Sequence, residues 1–201
     1  MQSASGQDWH RLEAMTDRQL LEAYAGGRDC QAFGAFVERH EGALLSFAAA
    51  FLRDDALAQD VVQETFLKAA RDPQRVLKSR ADGASERNWL LKVTRDLSVD
   101  NLRRRTTERK ALSRIAAGSE ASSPPADAPA ELGEEAARVR AALDRLRPRL
   151  RELLILKVRE QKSYKEIAQI AGLSVTNVGF LLHEAMKELG KQLGAGIQNA
   201  K

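Results

Sequence analysis

The sequence predicts an all-α protein: two small helical domains joined by a flexible acidic linker, the second a four-helix domain containing a helix-turn-helix. Three observations point there. Aromatic residues make up only 5% of the chain and charged residues 30%, and abundant Ala, Leu, Arg and Glu suit helices better than sheets. Apolar residues recur at intervals of three and four. Finally, residues 115–135 contain no Lys or Arg but carry Glu120, Asp127, Glu131, Glu134 and Glu135, with Pro124, Pro125 and Pro129 among them. Such a stretch buries too little apolar surface to offset the entropy of ordering it. It is expected to divide the chain into a domain at 16–112, a linker at 113–133 and a domain at 134–193.

The elements follow in order. Thr16-Asp17-Arg18-Gln19 resembles a capping box, Leu20, Leu21 and Tyr24 supply an apolar stripe behind it, and Gly26 and Gly27 are expected to stop that helix. A second helix starts near Asp29 and carries Phe33, Phe36, Val37, His40, Leu44, Phe47, Ala48 and Phe51. A third spans about residues 55–71 and ends at Asp72-Pro73, because a residue before proline avoids helical geometry. A loop to Ser85 precedes a fourth helix at about 86–110. In the second domain, residues 134–146 form a helix and Pro148 suits the first turn of the next. Ser163-Tyr164-Lys165-Glu166 is a capping box opening a third helix that Gly172 ends. Ser174 caps the fourth, which runs to about Leu189 before Gly190.

Composition excludes several classes. Cys30 is the only cysteine, so no intrachain disulfide forms and a reducing compartment is expected. With only His10, His40 and His183 beside it, no cluster has metal-ligand spacing, and no cofactor is expected. The most apolar run, residues 43–52, is interrupted by Ser46 and too short to cross a bilayer. The polar N-terminus lacks the order of a signal peptide. A cytoplasmic protein with no membrane partner is expected. The net charge of +4 points weakly to an anionic partner.

Three motifs carry the functional reading. Between Tyr164 and Leu182, Ala168 is small where two helices meet, Gly172 permits a left-handed turn, and Ile167, Leu173, Val178 and Leu181 fill the wedge. The second helix then lies in a major groove, offering Ser174 at its cap and Val175, Thr176, Asn177, Gly179, Phe180, His183 and Glu184. Asn177 suits an adenine edge, and Thr176 or Phe180 a thymine methyl. Because this set is poor in Arg and Lys, Arg147, Arg149, Arg151, Lys162 and Lys165 are candidates for phosphate contact. The ordinary alternative is a plain helical hairpin.

The second motif runs from Trp89 through Lys92, Arg95 and Asp96 to Arg103, Arg104 and Arg105. Residues 87–114 hold nine basic residues against three acidic, a net +6. A basic helix opened by an aromatic suits a DNA backbone beside unpaired bases; Trp89 as core beneath a solvated basic face is the competing reading. In the third motif, Val62, Phe66 and Ala69 bury one helix face while Asp60, Gln63, Glu64 and Leu67 form an acidic patch around an exposed leucine. That patch suits protein docking; a solvated face is the alternative. Thr65 lies in the same helix, without a motif supporting its phosphorylation.

In this order the motifs resemble the extracytoplasmic-function sigma factors of bacterial RNA polymerase. Residues 54–71 resemble sigma region 2.2, residues 89–105 regions 2.3 and 2.4, and residues 143–193 region 4, with a linker where region 3 would be. The resemblance implies that Asp60, Gln63 and Glu64, with Leu67 among them, bind core RNA polymerase at the β′ clamp helices. It implies that Trp89, Lys92 and Asp96, with Arg95, Arg103 and Arg104 on the same helix, meet the upstream edge of the −10 element. It further implies that residues 72–85 capture a flipped base and that the helix beginning at Ser174-Val175 reads the −35 element. The implied partners are core polymerase through β′ and β, promoter DNA and an anti-sigma factor. Gln59 stands where the family usually has Glu, Asp96 where it has Asn, and Gly179, Leu181 and Glu184 where it has basic residues. A conventional dimeric helix-turn-helix regulator accounts for residues 164–182 but leaves the Asp60 and Trp89 motifs unused. A recombinase with a DNA-binding tail lacks the expected carboxylate cluster or nucleophile.

Overall fold

The computed structural model describes residues 4–79, 85–115 and 133–198. All regular structure among them is helical, and the chain divides into two compact units, residues 1–115 and 116–201. Most of the acidic stretch expected as a linker, 116–132, lies outside the described residues, as do residues 80–84 of the base-capture loop.

The first unit contains α1 (Ala4–Ala14), α2 (Asp17–Gly27), α3 (Cys30–Leu52), α4 (Asp55–Arg71), α5 (Pro73–Lys78) and α6 (Glu86–Ile115). Side-chain caps start five of them, among them α6, where the Ser85 hydroxyl accepts from the Asn88 amide at 3.2 Å. Thr16 and Gln19 close a full capping box on α2. Asp29 accepts from the amides of Gln31 and Ala32, Asp54 from that of Leu57, and Asp72 from that of Arg75. Each such cap satisfies amides with no partner in the helix and stabilises it by about 1 kcal/mol. The glycine pair does not stop α2 as expected. The helix includes both, and Arg28 takes the left-handed turn at φ 55°. That conformation costs a non-glycine residue about 1–2 kcal/mol. Arg28 offsets it by donating to the Tyr24 hydroxyl at 3.0 Å and to the Ala70 carbonyl at 3.1 Å, near the end of α4. The expected loop after residue 71 begins instead with α5, which Asp72 caps and Pro73 opens; six residues are too few for a periodic signal.

α3 is the axis of this unit, packed against α2, α4 and α6. Phe36, Phe47 and Leu44 are buried along it, and Leu20, Leu21, Val61, Val62, Leu90 and Leu91 are buried on the helices packed against it. Burying side chains of this size stabilises a fold by about 1.5–3 kcal/mol each. A polar clamp joins α2 to α3: Asp17 lies 2.8 Å from His40 Nε2 and 2.8 Å from Arg39 Nη1, while Arg39 also donates to the Glu13 carbonyl of α1.

The second unit holds α7 (Glu134–Arg145), α8 (Pro148–Leu154), a π-helical turn (Ile155–Arg159), α9 (Tyr164–Ala171) and α10 (Val175–Gln198). Its core gathers Leu146, Leu150, Leu153, Leu156, Ile167, Ile170, Val178, Leu182 and Ala185. Pro148 occupies the first turn of α8 and Ser163 with Glu166 the capping box of α9, as expected. α10 runs past Gly190, where the sequence suggested a stop. A glycine inside a helix costs about 1 kcal/mol but does not end it unless the backbone takes another conformation.

Burial pushes the Asp17 carboxyl up, but the hydrogen bonds and charges of His40 and Arg39 outweigh it and hold the group below its ordinary value. A lowered folded-state value means the carboxylate's contribution is full above the unfolded-state value and is lost as pH falls through the folded one. Asp17→Asn should destabilise the first unit by about 1.5–3 kcal/mol at neutral pH, the scale of hydrogen bonds to charged groups. The gap between wild-type and variant thermal midpoints should narrow below about pH 4. A gap independent of pH between neutral and strongly acidic buffer would refute the clamp.

Candidate polymerase and nucleic-acid interfaces

α4 has two faces. Ala58, Val61, Val62, Thr65, Phe66 and Ala69 are buried. Turned away from them, Asp60 and Gln63 are exposed, Glu64 is half-buried, and Leu67 keeps 43% of its surface in solvent. Glu64 pairs with Lys68 at 3.5 Å and Arg71 at 4.0 Å, so the patch carries its own partial counter-charge. Beside it, an open groove of about 460 Å³ lies between α3 and α4, with Phe33, Val37, Leu45 and Leu67 on its walls and Glu41, Gln59 and Gln63 also lining it. The sequence reading put Phe33 and Val37 in the core stripe of α3, but both are half-exposed here. Residues 33, 37, 41 and 45, spaced by four, were the signal of a second stripe on the helix.

On α6, Leu90, Leu91, Thr94 and Ser98 face inward. A helix advances about 100° per residue, so Trp89, Lys92, Asp96 and Arg103 share the opposite side. Trp89 is half-buried and Lys92 exposed, so the tryptophan is neither pure core nor free platform. Asp96 is held by Arg95 at 2.8 Å and faces Lys92 at 4.0 Å. Arg103 and Arg104 are exposed; Arg103 stands 3.8 Å from Asp100 in full solvent, a weak pairing. Arg105 donates to Asp54 at 2.8 Å. The Leu57 amide, and then Arg105, hold the Asp54 carboxyl below its ordinary value. Arg105 therefore fastens α6 to the start of α4.

In the second unit, α9 packs against α10, Ala168 of α9 is buried, and Gly172 takes the left-handed turn at φ 66°. Ile167 and Val178 are fully buried, but Leu182 rather than Leu181 completes the wedge, since it lies one full turn beyond Val178. Ser174 is a cap, its hydroxyl 3.2 Å from the Asn177 amide. Val175, Thr176, Asn177, Phe180 and His183 are exposed, while Gly179 and Glu184 are half-buried. Lys187, overlooked in the sequence, is exposed two turns beyond Phe180.

The models of two families match this chain: Sigma-70 region 2 over residues 36–108 and Sigma-70 region 4 over residues 136–189, together more than half of it. The chain belongs to the sigma-70 family, in its extracytoplasmic-function group. A probable RNA polymerase sigma factor, RfaY of Xanthomonas campestris pv. campestris, is 32% identical over 90% of the chain, which spans only 45% of that protein. The RNA polymerase sigma factor CarQ of Myxococcus xanthus is 29% identical over 87% of the chain and 95% of its own length. Other relatives bear the name ECF RNA polymerase sigma factor. The solved structure of CnrH in complex with the cytosolic domain of CnrY is 27% identical, covering 89% of this chain and 97% of that one with a TM-score of 0.59.

Every candidate side chain of this sigma factor lies inside one of the two matched regions. The expected phosphate contacts fare differently. Arg151 is buried and donates to the carbonyls of Leu143, Asp144 and Leu146, closing the open end of α7. Arg149 is tied to Glu152 and to the Ala171 carbonyl. Lys162 is buried beside Glu166. Of the five, only Arg147 and Lys165 are exposed. Arg151→Ala should therefore cost region 4 about 2–4 kcal/mol, combining lost charged hydrogen bonds with unsatisfied carbonyls. The salt dependence of DNA binding by the remaining folded protein should not change. A stable variant with a shallower salt slope would instead make Arg151 a phosphate contact.

Proposed function

We propose that this sigma factor binds core RNA polymerase through the outer face of α4, holds the −10 region with the exposed side of α6, and docks α10 on the −35 duplex. In this reading residues 16–112 form the polymerase-binding and strand-opening domain, 113–133 a flexible acidic linker, and 134–193 the −35 domain. The observation that carries it is the burial of α4 against both α3 and α6. One helix thereby turns Asp60, Gln63, Glu64 and Leu67 outward while bracing the basic helix within the same unit.

The β′ clamp helices are the partner for the α4 face, with β the other polymerase contact and promoter DNA the ligand of α6 and α10. A protein regulator of the anti-sigma kind is a further partner, by analogy with CnrH, whose structure holds the cytosolic domain of CnrY. These partners put the protein in the cytoplasm, and among the described residues no helix is long and apolar enough to cross a membrane. A dimeric operator-binding regulator has no use for the α4 patch. Adding the protein to core polymerase on genomic DNA and sequencing the transcript ends tests the whole reading, since only a sigma factor creates new start sites.

Two substitutions separate the parts. Asp60→Lys with Glu64→Lys should abolish co-purification with core polymerase at moderate salt and leave the helical circular dichroism intact. Undiminished recovery would clear α4 of that role.

On α6, a base stacked on an aromatic contributes about 1–3 kcal/mol, whereas a phosphate contact acts mainly on affinity and its salt slope. Trp89→Ala should keep polymerase binding and reduce the permanganate reactivity of thymines near −10. Lys92→Ala should weaken promoter binding in a salt-dependent way with less effect on opening. Because Trp89 is half-buried, its variant is first checked for an unchanged melting midpoint; equal effects of both variants on opening would overturn the division of labour.

A further inference from the structure

The recognition helix lacks the basic side chains expected on it, and the geometry around α10 shows what stands in their place. Val178 marks the buried direction. At 100° per residue, Thr176, Phe180 and Lys187 point almost directly outward, with Gly179 on one flank and Glu184 on the other. Phe180 keeps 68% of its surface in solvent, though it belongs to no core. Asn177, the side chain best suited to an adenine edge, lies toward the Glu184 flank rather than at the centre.

Each flank carries a cation held by another element. On the Gly179 side, the Tyr164 ring lies against the helix. A Cβ added at Gly179 would sit 3.6 Å from its Cε2, in ordinary van der Waals contact, so the ring borders this position closely. Lys157, from the π-helical turn, is 5.2 Å from the ring centroid and also donates to the Lys162 carbonyl at 3.4 Å. On the far side, the exposed Arg147 guanidinium lies 2.5 Å from Glu184 and 4.0 Å from Glu188. That contact offsets the acid facing the duplex and leaves most of the five guanidinium N–H donors unused by it.

We propose that Phe180 is the specificity-determining residue of the −35 contact, packing on thymine 5-methyl groups, while Lys157 and Arg147 on opposite flanks neutralise phosphates of the two strands. This rests on reading α10 as the −35 helix. At the N-terminal turns of the helix, the part that meets base edges, the outermost groups are a phenyl ring and a hydroxyl. These cannot make the bidentate bonds that read guanine or adenine; Lys187 lies two turns further along. The thymine methyl is the apolar feature that a major groove presents. His183, one turn on, supplies a hydrogen-bonding edge beside the ring without changing that preference.

The test uses the full chain assembled with core RNA polymerase. The holoenzyme selects from a duplex library randomised across both promoter elements, and each enriched upstream thymine is then replaced by deoxyuridine, which removes only the methyl. Each contacted methyl lost should weaken wild-type binding about fourfold, the effect of one buried carbon. Phe180→Ala should bind the two duplexes equally. Lys157→Ala and Arg147→Ala should each lower the slope of log affinity against log salt by about 0.9 and keep the thymine preference. An upstream motif enriched without methyl dependence would overturn the role of Phe180 and leave α10 as the reader. Selection of no upstream motif by a holoenzyme that still selects a downstream one would overturn both.

Discussion

The hydrogen bond between the Thr65 and Thr94 hydroxyls, 3.1 Å apart and closed off from solvent, fixes how α4 lies on α6. Both candidate faces of the first unit follow from it. Thr65 already gives its proton to the Val61 carbonyl at 2.9 Å, so Thr94 must be the donor between the two. A buried hydroxyl without a partner is costly, so a slip of either helix would take from the Thr94 hydroxyl its acceptor on α4 in a setting of buried Val61, Phe66, Leu90 and Leu91. Register, once set this way, leaves Asp60, Gln63 and Leu67 pointing out of one side and Lys92 and Arg103 out of another. The same burial removes Thr65 from the reach of a kinase, a matter the sequence left open.

Charge in this protein is divided between holding the fold and facing a ligand. Arg105, in the middle of the most basic stretch of the chain, is taken up by Asp54 at the start of α4. Arg28 serves a carbonyl near the end of α4, and Arg151 the carbonyls at the end of α7. A guanidinium with five donors in a fixed plane suits these carbonyl clusters better than an ammonium. The net charge of a segment therefore overstates the cations it can offer to DNA. Lys92, Arg103, Arg104, Arg147 and Lys187 remain on the surface, spread over two units rather than concentrated on one recognition helix.

That distribution bears on how a family member with a base-poor reader can act at a promoter. Phosphate neutralisation supplies most of the sequence-independent affinity for DNA, and α10 contributes little of it from its own face. Polymerase binding through the first unit would raise the effective concentration of the second at the duplex, so a weak reader can still choose among sites. Selectivity would then depend on a small number of apolar contacts.

The sequence by itself determined the helical class, both units, and nearly every helix start, because N-caps are local. Thr16, Asp29, Asp54, Ser163 and Ser174 need only the next three residues to act. It determined the outward face of α4 through periodicity within one helix, and the helix-turn-helix through a capping box, Gly172 and Ser174 that lie close together in the chain. Helix ends were harder: a glycine permits a stop at positions 26, 27 and 190 but does not impose one, and at Arg28 the left-handed turn is accompanied by side-chain bonds to Tyr24 and Ala70 that a local pattern does not announce. What tertiary structure alone decided concerns groups far apart in the chain. The groove lined by Phe33, Val37 and Leu45 exists only where α4 lies beside α3. Whether Arg105, Arg149 or Arg151 is a ligand for DNA or a brace for the fold depends on carboxylates and carbonyls that other elements bring within 3 Å or so, and a pattern within one segment cannot specify such a partner.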